Sequence, residues 1–266
     1  MIKLDYFDLI SDEPIIIENV GSIKCPYLKD IKKISYFTYS FFVHCLMLTP
    51  QVYFDELEKK GAKVDNETFL FTTKYDLLTL DNTLFLSILR ALNFFFVESV
   101  VVDEKKYIDE SVLEFHTIDE KNNIVGVINE DNYSSVINMI LQMLSVDVEK
   151  DDVEDLSKVK NKRGKKIYEK ILKGRRAMRK AKEKASGNTK RQSLSNIISS
   201  VAAFSNNTNY TQIWDLTVYQ LYDLFNRLNL IDQYNITSTS VSVWGDEKKQ
   251  FKTGLWNDNF HDKETN

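Results

Sequence analysis

Apolar side chains recur at helical spacing over residues 214–228, near the carboxyl end of the chain. Steps of four, three, four and three residues put this stripe on one helical face. Its members are Trp214, Val218, Leu221, Phe225 and Leu228. We therefore predict a helix that begins near Trp214 and packs deep in a core or an interface. The opposite flank carries Thr217, Gln220 and Arg227, and we interpret this polar line as a solvated face rather than a binding face.

The first 150 residues contain most of the other helical patterns. Periodicity and helix-start signals predict helices over residues 6–10, 34–48, 50–60, 68–80 and 82–95, the last capped by Asp81. They also predict a helix that starts at Pro26, with a helical period from Leu28, and another after Asn129 or Asp131. The run over 34–48 is apolar on all sides, so we predict that it lies at the centre of the core. Because His44 belongs to this run, we expect it to be a satisfied core histidine.

Two regions have the features of β-structure. Residues 14–18 and 22–25 flank a turn that contains Gly21, which predicts a hairpin. Residues 98–102, 112–116 and 123–128 are β-branched or alternating and are separated by polar turns, which predicts a small antiparallel meander. The predicted fold class is α+β and mostly α-helical. The hairpin and the meander pack on helices, and a helical unit ends the chain.

Composition and charge divide the chain into parts. Glycine and proline number only 8 and 3 among 266 residues, which favours long helices. Residues 158–191 hold 16 Lys and Arg against two acids, whereas the remainder holds 19 basic and 37 acidic residues. We predict a helix-rich α+β body over 1–150, an acidic linker and basic helical arm over 151–192, and a small helical unit over 193–266.

The sequence lacks the motifs of the common catalytic and metal chemistries. It has no phosphate-binding glycine loop, no nucleophile elbow, no zinc-protease motif and no cysteine pair at metal spacing. Cys25 and Cys45 are expected to be buried free thiols in a reducing compartment. His116 and His261 have no obvious partner. We therefore expect a non-enzymatic protein without catalytic residues, cofactors or metal ions. No apolar run is long enough to span a bilayer, so we expect a soluble, cytoplasmic protein.

The basic arm is the first candidate for binding a partner. Its cations would neutralise a nucleic-acid backbone, but it has almost no aromatic residue for base stacking. The acidic remainder of the chain favours a tether or a protein contact over nucleic acid. The candidate residues of the arm are Lys165, Lys166, Arg175, Arg176, Arg179 and Lys180. Those near the carboxyl-terminal helix are Trp214, Tyr219 and Tyr222.

The chain resembles small proteins of tailed bacteriophages that infect Gram-positive hosts. The resemblance is carried by residues 7–31 (FDLISDEPIIIENVGSIKCPYLKDI), 128–133 (INEDNY), the lysine-rich arm, the helix over 193–203, and 213–225 (IWDLTVYQLYDLF). It implies a tail assembly chaperone, which holds the tape-measure protein before the tail tube polymerises and has no catalytic site. The partner implied is a phage structural protein, tape-measure or tail, in the host cytoplasm.

Two alternatives stay open. The first is a structural component of the virion, such as a tail or head-completion protein. The second is a phage protein that binds nucleic acid through the basic arm. Homo-oligomerisation is also left open, and no membrane partner is expected.

Overall fold

The computed structural model describes residues 2–61, 72–103, 113–146, 193–205, 208–246 and 251–257. The chain divides into two compact units, one formed by residues 1–148 with 198–266 and the other by 149–197. Most of the second unit lies outside the described residues. So do the predicted linker and basic arm (residues 151–192), residues 68–71 of a predicted helix, and His261. The three-part division of the sequence therefore stays a prediction.

The described residues form the mostly helical α+β fold that the sequence predicts. The helices of the amino-terminal part are α1 Tyr6–Ile10, α2 Leu28–Ile34, α3 Tyr36–Met47, α4 Pro50–Lys59, α5 Asp76–Leu80, α6 Asn82–Phe95 and α7 Glu130–Met143. The later ones are α8 Leu194–Phe204 and α9 Val218–Trp244, with short 3-10 helices at Gln212–Asp215 and Leu255–Asn257. Asp81 and Asn129 cap α6 and α7 as predicted, because their side chains accept hydrogen bonds from free N–H groups of the first turn.

Two small antiparallel sheets confirm the predicted hairpin and meander. Strands β1 (Ile15–Ile17) and β2 (Gly21–Ile23) form the hairpin, and Gly21 has a φ of 128° in its turn. Strands β3 (Ser99–Val102), β4 (Phe115–Ile118) and β5 (Ile124–Ile128) form the meander in that order.

Strand β4 begins later than the predicted segment 112–116. The inward alternation runs through Leu113, Phe115 and Thr117, so it continues past His116. The predicted segment ends at His116 although Thr117 is β-branched and favours a strand, because a polar hydroxyl gives no sign in the sequence that its side chain faces the core. Here its hydroxyl donates to the Val20 carbonyl at 2.6 Å, which allows the side chain to be fully buried.

The core lies between α6, α7 and the meander. The apolar stripe of α7 is buried throughout, and its members are Tyr133, Val136, Ile137, Ile140, Leu141 and Leu144. Helix α6 contributes Leu84, Ile88, Ala91, Leu92 and Phe95 to the same core. Each large apolar side chain of this kind stabilises the fold by about 1.5–3 kcal/mol when it is fully buried.

Helix α3 buries only one face, so the prediction that it lies at the centre of the core is wrong. Its Tyr39 and Phe42 rings pack beside Phe94 of α6, with ring centroids 6.5 and 6.1 Å apart. Phe37 on the other face is 82% exposed, and His44 is also exposed. An apolar run marks a buried helix only where neighbours cover every side, and the described residues cover one side of α3.

Strand β2 connects the hairpin to the rest of the amino-terminal part. The Val97 N–H donates to the Ser22 carbonyl at 2.9 Å, and the Lys24 N–H donates to the Phe95 carbonyl at 2.8 Å. On the meander side, the Val127 N–H donates to the Asn19 carbonyl at 3.0 Å. The hairpin turn and the neighbouring strand β5 therefore approach each other backbone to backbone.

That close approach requires a glycine at position 126. A Cβ added to Gly126 would lie 2.5 Å from backbone atoms of Asn19 and Val20, which cannot move as a flexible side chain does. We expect Gly126→Ala to lower the free energy of unfolding by about 2–3 kcal/mol. Chemical denaturation followed by circular dichroism measures this change.

The control for this prediction is Gly254→Ala. A Cβ at Gly254 would make only an ordinary contact, 3.4 Å from a side-chain oxygen of Asn257. We expect this variant to stay within about 0.5 kcal/mol of the parent protein. Equal stability of the two variants would contradict the close approach at Gly126.

Candidate functional site

The start of α9 is joined to the amino-terminal segment by backbone hydrogen bonds. The Leu28 N–H donates to the Leu216 carbonyl at 3.0 Å, and the Val218 N–H donates to the Pro26 carbonyl at 3.1 Å. Tyr27 and Thr217 form an antiparallel bridge between these two contacts. We call this region, residues 26–28 with 216–218, the terminal junction. It determines where α9 begins.

A capping box at the terminal junction corrects two predictions about α9. The helix begins at Val218, and Trp214 belongs instead to the 3-10 helix Gln212–Asp215. The Gln220 N–H donates to the Thr217 hydroxyl at 3.2 Å, and the Thr217 N–H donates to the Gln220 side-chain carbonyl at 3.0 Å. Thr217 is 0% exposed, so the predicted solvated polar line is wrong. The spacing Thr-x-x-Gln is the signal that identifies such a box in a sequence.

The other two residues of the polar line also contact the chain itself. The Gln220 side-chain amide donates to the Ile10 carbonyl at 2.9 Å, which attaches α1 to α9. The Arg227 guanidinium donates to the Trp256 carbonyl at 3.1 Å. Tyr234, seven residues further along α9, stacks near Phe251 with ring centroids 5.8 Å apart. This side of α9 therefore packs against residues 251–257.

The three aromatic residues predicted to bind a partner lie at or near the terminal junction. Trp214 is half-buried, with the Lys32 ammonium 5.1 Å from its ring centroid. Tyr219 is buried, and its ring centroid lies 6.5 Å from that of Tyr6. Tyr222 is half-buried. The six basic candidates of the arm lie outside the described residues. A role of any of these nine residues in partner binding stays a prediction.

Two ionisable groups beside the terminal junction, Cys25 and Tyr219, are held in their neutral forms. Burial, together with Asp223 and Tyr6, raises the pKa of Tyr219 to about 12. Burial also raises the pKa of the Cys25 thiol to about 11, and this thiol donates to the Met143 carbonyl at 3.2 Å. The junction is therefore a packed, neutral structure rather than a reactive site.

His116 differs from its prediction, and Cys25 and Cys45 are the free thiols that the sequence predicts. His116 was expected to have no partner, but its Nε2 lies 3.8 Å from carboxylate oxygens of both Asp103 and Glu114. Cys25 and Cys45 are free thiols, of which Cys45 is buried and Cys25 half-buried. Within the described ranges, no group of three or more His, Cys, Asp or Glu side chains could hold a metal ion.

One face of α3 is the clearest apolar surface for a partner. We call it the aromatic face, formed by Tyr36, Phe37, Phe41 and His44. Tyr36 and Phe41 are 50% and 44% exposed, and Phe37 more so. Phe37, Phe41 and His44 follow each other at steps of four and three residues, so they lie along one line of the helix. The face carries no carboxylate, lysine or arginine.

The capping box gives a first prediction for the terminal junction. Thr217→Val removes the acceptor of the Gln220 N–H without a large change in shape, so we expect a loss of about 1–2 kcal/mol in unfolding free energy. Thr217→Ser keeps the hydroxyl and should lose less. Thermal and urea denaturation of the two variants measure the difference. A valine variant more stable than the serine variant would contradict the role of the cap.

The thiols give a second prediction. Folding raises the pKa of both Cys25 and Cys45 from 9.0 to about 11, so the thiolate fraction near pH 8 falls roughly a hundredfold. We expect both to react slowly with a thiol reagent in the folded protein and rapidly in guanidinium. Because the unfolded thiols ionise first, their contribution to stability is complete below about pH 9 and is lost as the pH rises towards 11. Rapid reaction of the folded protein would contradict this.

No helix in the described portion of the chain combines the length and apolarity needed to cross a membrane.

Comparison with known proteins bears on the carboxyl-terminal part. Comparison with curated proteins and with solved structures gives no match. A family model, YomV second domain, matches residues 181–261, a range that includes α8 and α9. This is a Bacillus phage-type protein family, and the similarity supports a phage protein of Gram-positive hosts.

Proposed function

We propose that the chain is a non-enzymatic phage morphogenesis protein, a tail assembly chaperone that binds the tape-measure protein. The resemblance of residues 7–31, 128–133 and 213–225 to such proteins suggests this role. The similarity to the YomV second domain supports the phage part of the proposal. In this proposal the protein acts in the host cytoplasm and needs no cofactor.

The observation that carries the proposal is the aromatic face of α3. A tape-measure protein is a long helical client, and a helix binds best where an apolar stripe can lie along another apolar stripe. Phe37 and Phe41 offer such a stripe, one helical turn apart. Large aromatic side chains dominate interfaces of this kind, because each removes much apolar surface from water when it is covered.

The side of α3 opposite the aromatic face packs against α6. Tyr39 and Phe42, on the buried side of α3, pack beside Phe94 of α6. The Ser35 hydroxyl accepts from the Thr38 N–H at 3.3 Å and caps the start of the helix. A partner that docks on the exposed side therefore does not need to order α3 first, which lowers the entropic cost of binding.

The absence of carboxylate, lysine and arginine from the aromatic face suits a chaperone. A client helix with apolar residues at intervals of three and four can bind at many registers, because no ion pair selects one of them. A chaperone that covers several segments of a long client needs this tolerance. Binding through such a face should also depend little on salt.

The aromatic face gives a prediction that is tested in phage-infected cells. Tagged protein should recover the tape-measure protein, whereas the double substitution Phe37→Ser with Phe41→Ser should lower recovery roughly tenfold or more. Phe37 is largely exposed and Phe41 nearly half exposed, so the variant should keep the fold of the parent, as circular dichroism can check. The matched control is Phe7→Ser, which removes an exposed phenylalanine from α1 and should leave recovery unchanged.

Purified virions, probed in parallel, separate the proposal from its alternatives. A chaperone leaves before the virion is complete, so we expect none of this chain in virions. A fixed copy number in virions would contradict the chaperone role and make the protein a structural component. Recovery of DNA in place of a protein, with a steep loss at higher salt, would favour the nucleic-acid alternative.

A further inference from the structure

The outer edge of β1 has the features of a strand-docking site. The Ser22 N–H donates to a carboxylate oxygen of Glu98 at 2.8 Å, and the Ser22 carbonyl accepts from the Val97 N–H. Ser22 faces Ile16 in the hairpin, so Ile16–Ser22 is a non-hydrogen-bonded pair. The N–H and C=O of Ile16 therefore point away from β2, towards the outer edge. The Ile16 side chain is 82% exposed.

The other sheet is protected at the corresponding places. At the β3 edge, the Asn93 side chain accepts from the Val100 N–H at 3.0 Å and donates to the Val100 carbonyl at 2.8 Å, as a neighbouring strand would. At the β5 edge, the Val127 N–H is bonded to Asn19. Proteins usually cover or blunt their sheet edges to prevent wrong pairing. Among the described residues, nothing covers the outer edge of β1, although the strand is only three residues long and Pro14 precedes it.

Charge around β1 restricts what can dock there. Residues 4–23 contain Asp5, Asp8, Asp12, Glu13 and Glu18 and no lysine or arginine. Glu13 and Glu18 are both exposed, and they lie before and after the strand along the chain. A second copy paired antiparallel about Ile16 would gather Glu13 of one chain and Glu18 of the other at each end of the pair, and it would double the negative charge of a stretch that holds no cation. The edge is therefore unsuited to pairing with itself.

We propose that the β1 edge binds an extended segment of a partner protein in which β-branched residues are flanked by lysine or arginine. The segment adds to β1 as a new strand, with main-chain hydrogen bonds to Ile16 and an apolar side chain over its exposed side chain. The flanking cations lie near Glu13 and Glu18. The site is separate from the aromatic face and uses extended rather than helical recognition.

Synthetic peptides test the proposal directly. The probe is KKTVTVTKK, and the control peptide is EETVTVTEE, which has the same strand-forming centre and opposite flanks. With the full-length protein, we expect the lysine peptide to bind and the glutamate peptide to bind at least about tenfold more weakly. The amide resonance of Ile16 should shift on titration. Binding that leaves this resonance unmoved, or equal binding of both peptides, would overturn the proposal.

Two protein variants distinguish main-chain pairing from simple charge attraction. Ile16→Pro removes the outward N–H without breaking a bond to β2, so the hairpin should persist while affinity for KKTVTVTKK falls roughly tenfold. The matched control Ile16→Thr keeps the N–H and the β-branched shape and should lose less. Circular dichroism checks the fold of each. If proline and threonine variants bind alike, strand addition is wrong.

Charge reversal completes the test. Glu13→Lys with Glu18→Lys should invert the preference, so that EETVTVTEE binds more tightly than KKTVTVTKK. The Phe37→Ser, Phe41→Ser variant should bind the lysine peptide as the parent does, which separates this site from the proposed chaperone surface. Sedimentation of the protein alone addresses self-pairing: a dimer that Ile16→Pro dissolves would show a second copy at the edge and overturn the proposal.

Discussion

Backbone hydrogen bonding along residues 22–28 is the constraint on which the remaining structure depends. Ser22 and Lys24 bond to the segment that links α6 to β3, and Pro26 and Leu28 bond to the start of α9. One short extended segment thus positions the meander, the apolar helix α6 and the carboxyl-terminal helix. Each of these backbone groups would cost about 1–3 kcal/mol if it were buried without a partner. The segment can therefore not shift without disturbing all three elements.

The terminal junction extends this constraint to the end of the chain. A 27-residue helix such as α9 could begin at several places, because its apolar stripe continues upstream to Trp214. The capping box selects Val218, and the pairing with Pro26 and Leu28 keeps that start beside the amino-terminal segment. The part of the chain that resembles the YomV second domain is thus attached to residues that precede the matched range.

The sequence predicts elements whose pattern is local. It does not predict features that depend on which residues pack against an element. Helix α7 combines a clear stripe with an Asn129 cap, and both are seen in the structure. The sequence does not predict the exposed face of α3, because an apolar run does not reveal which side a neighbour covers. The polarity of Thr217 alone predicts a solvated position, and only the spacing to Gln220 indicates the capping box. His116 gained two acidic neighbours through strand pairing, which no local pattern encodes.

The two candidate surfaces differ in the physical force that would select a partner. The aromatic face of α3 carries no carboxylate, lysine or arginine, so it favours any helix with a matching stripe and discriminates weakly among sequences. The β1 edge lies in a stretch with five carboxylates, so it attracts cations and rejects acids, but its three residues offer few main-chain bonds. The aromatic face would let a chaperone contact many segments of a client strongly but without selecting a sequence. The β1 edge would add a weak preference for a client with basic residues.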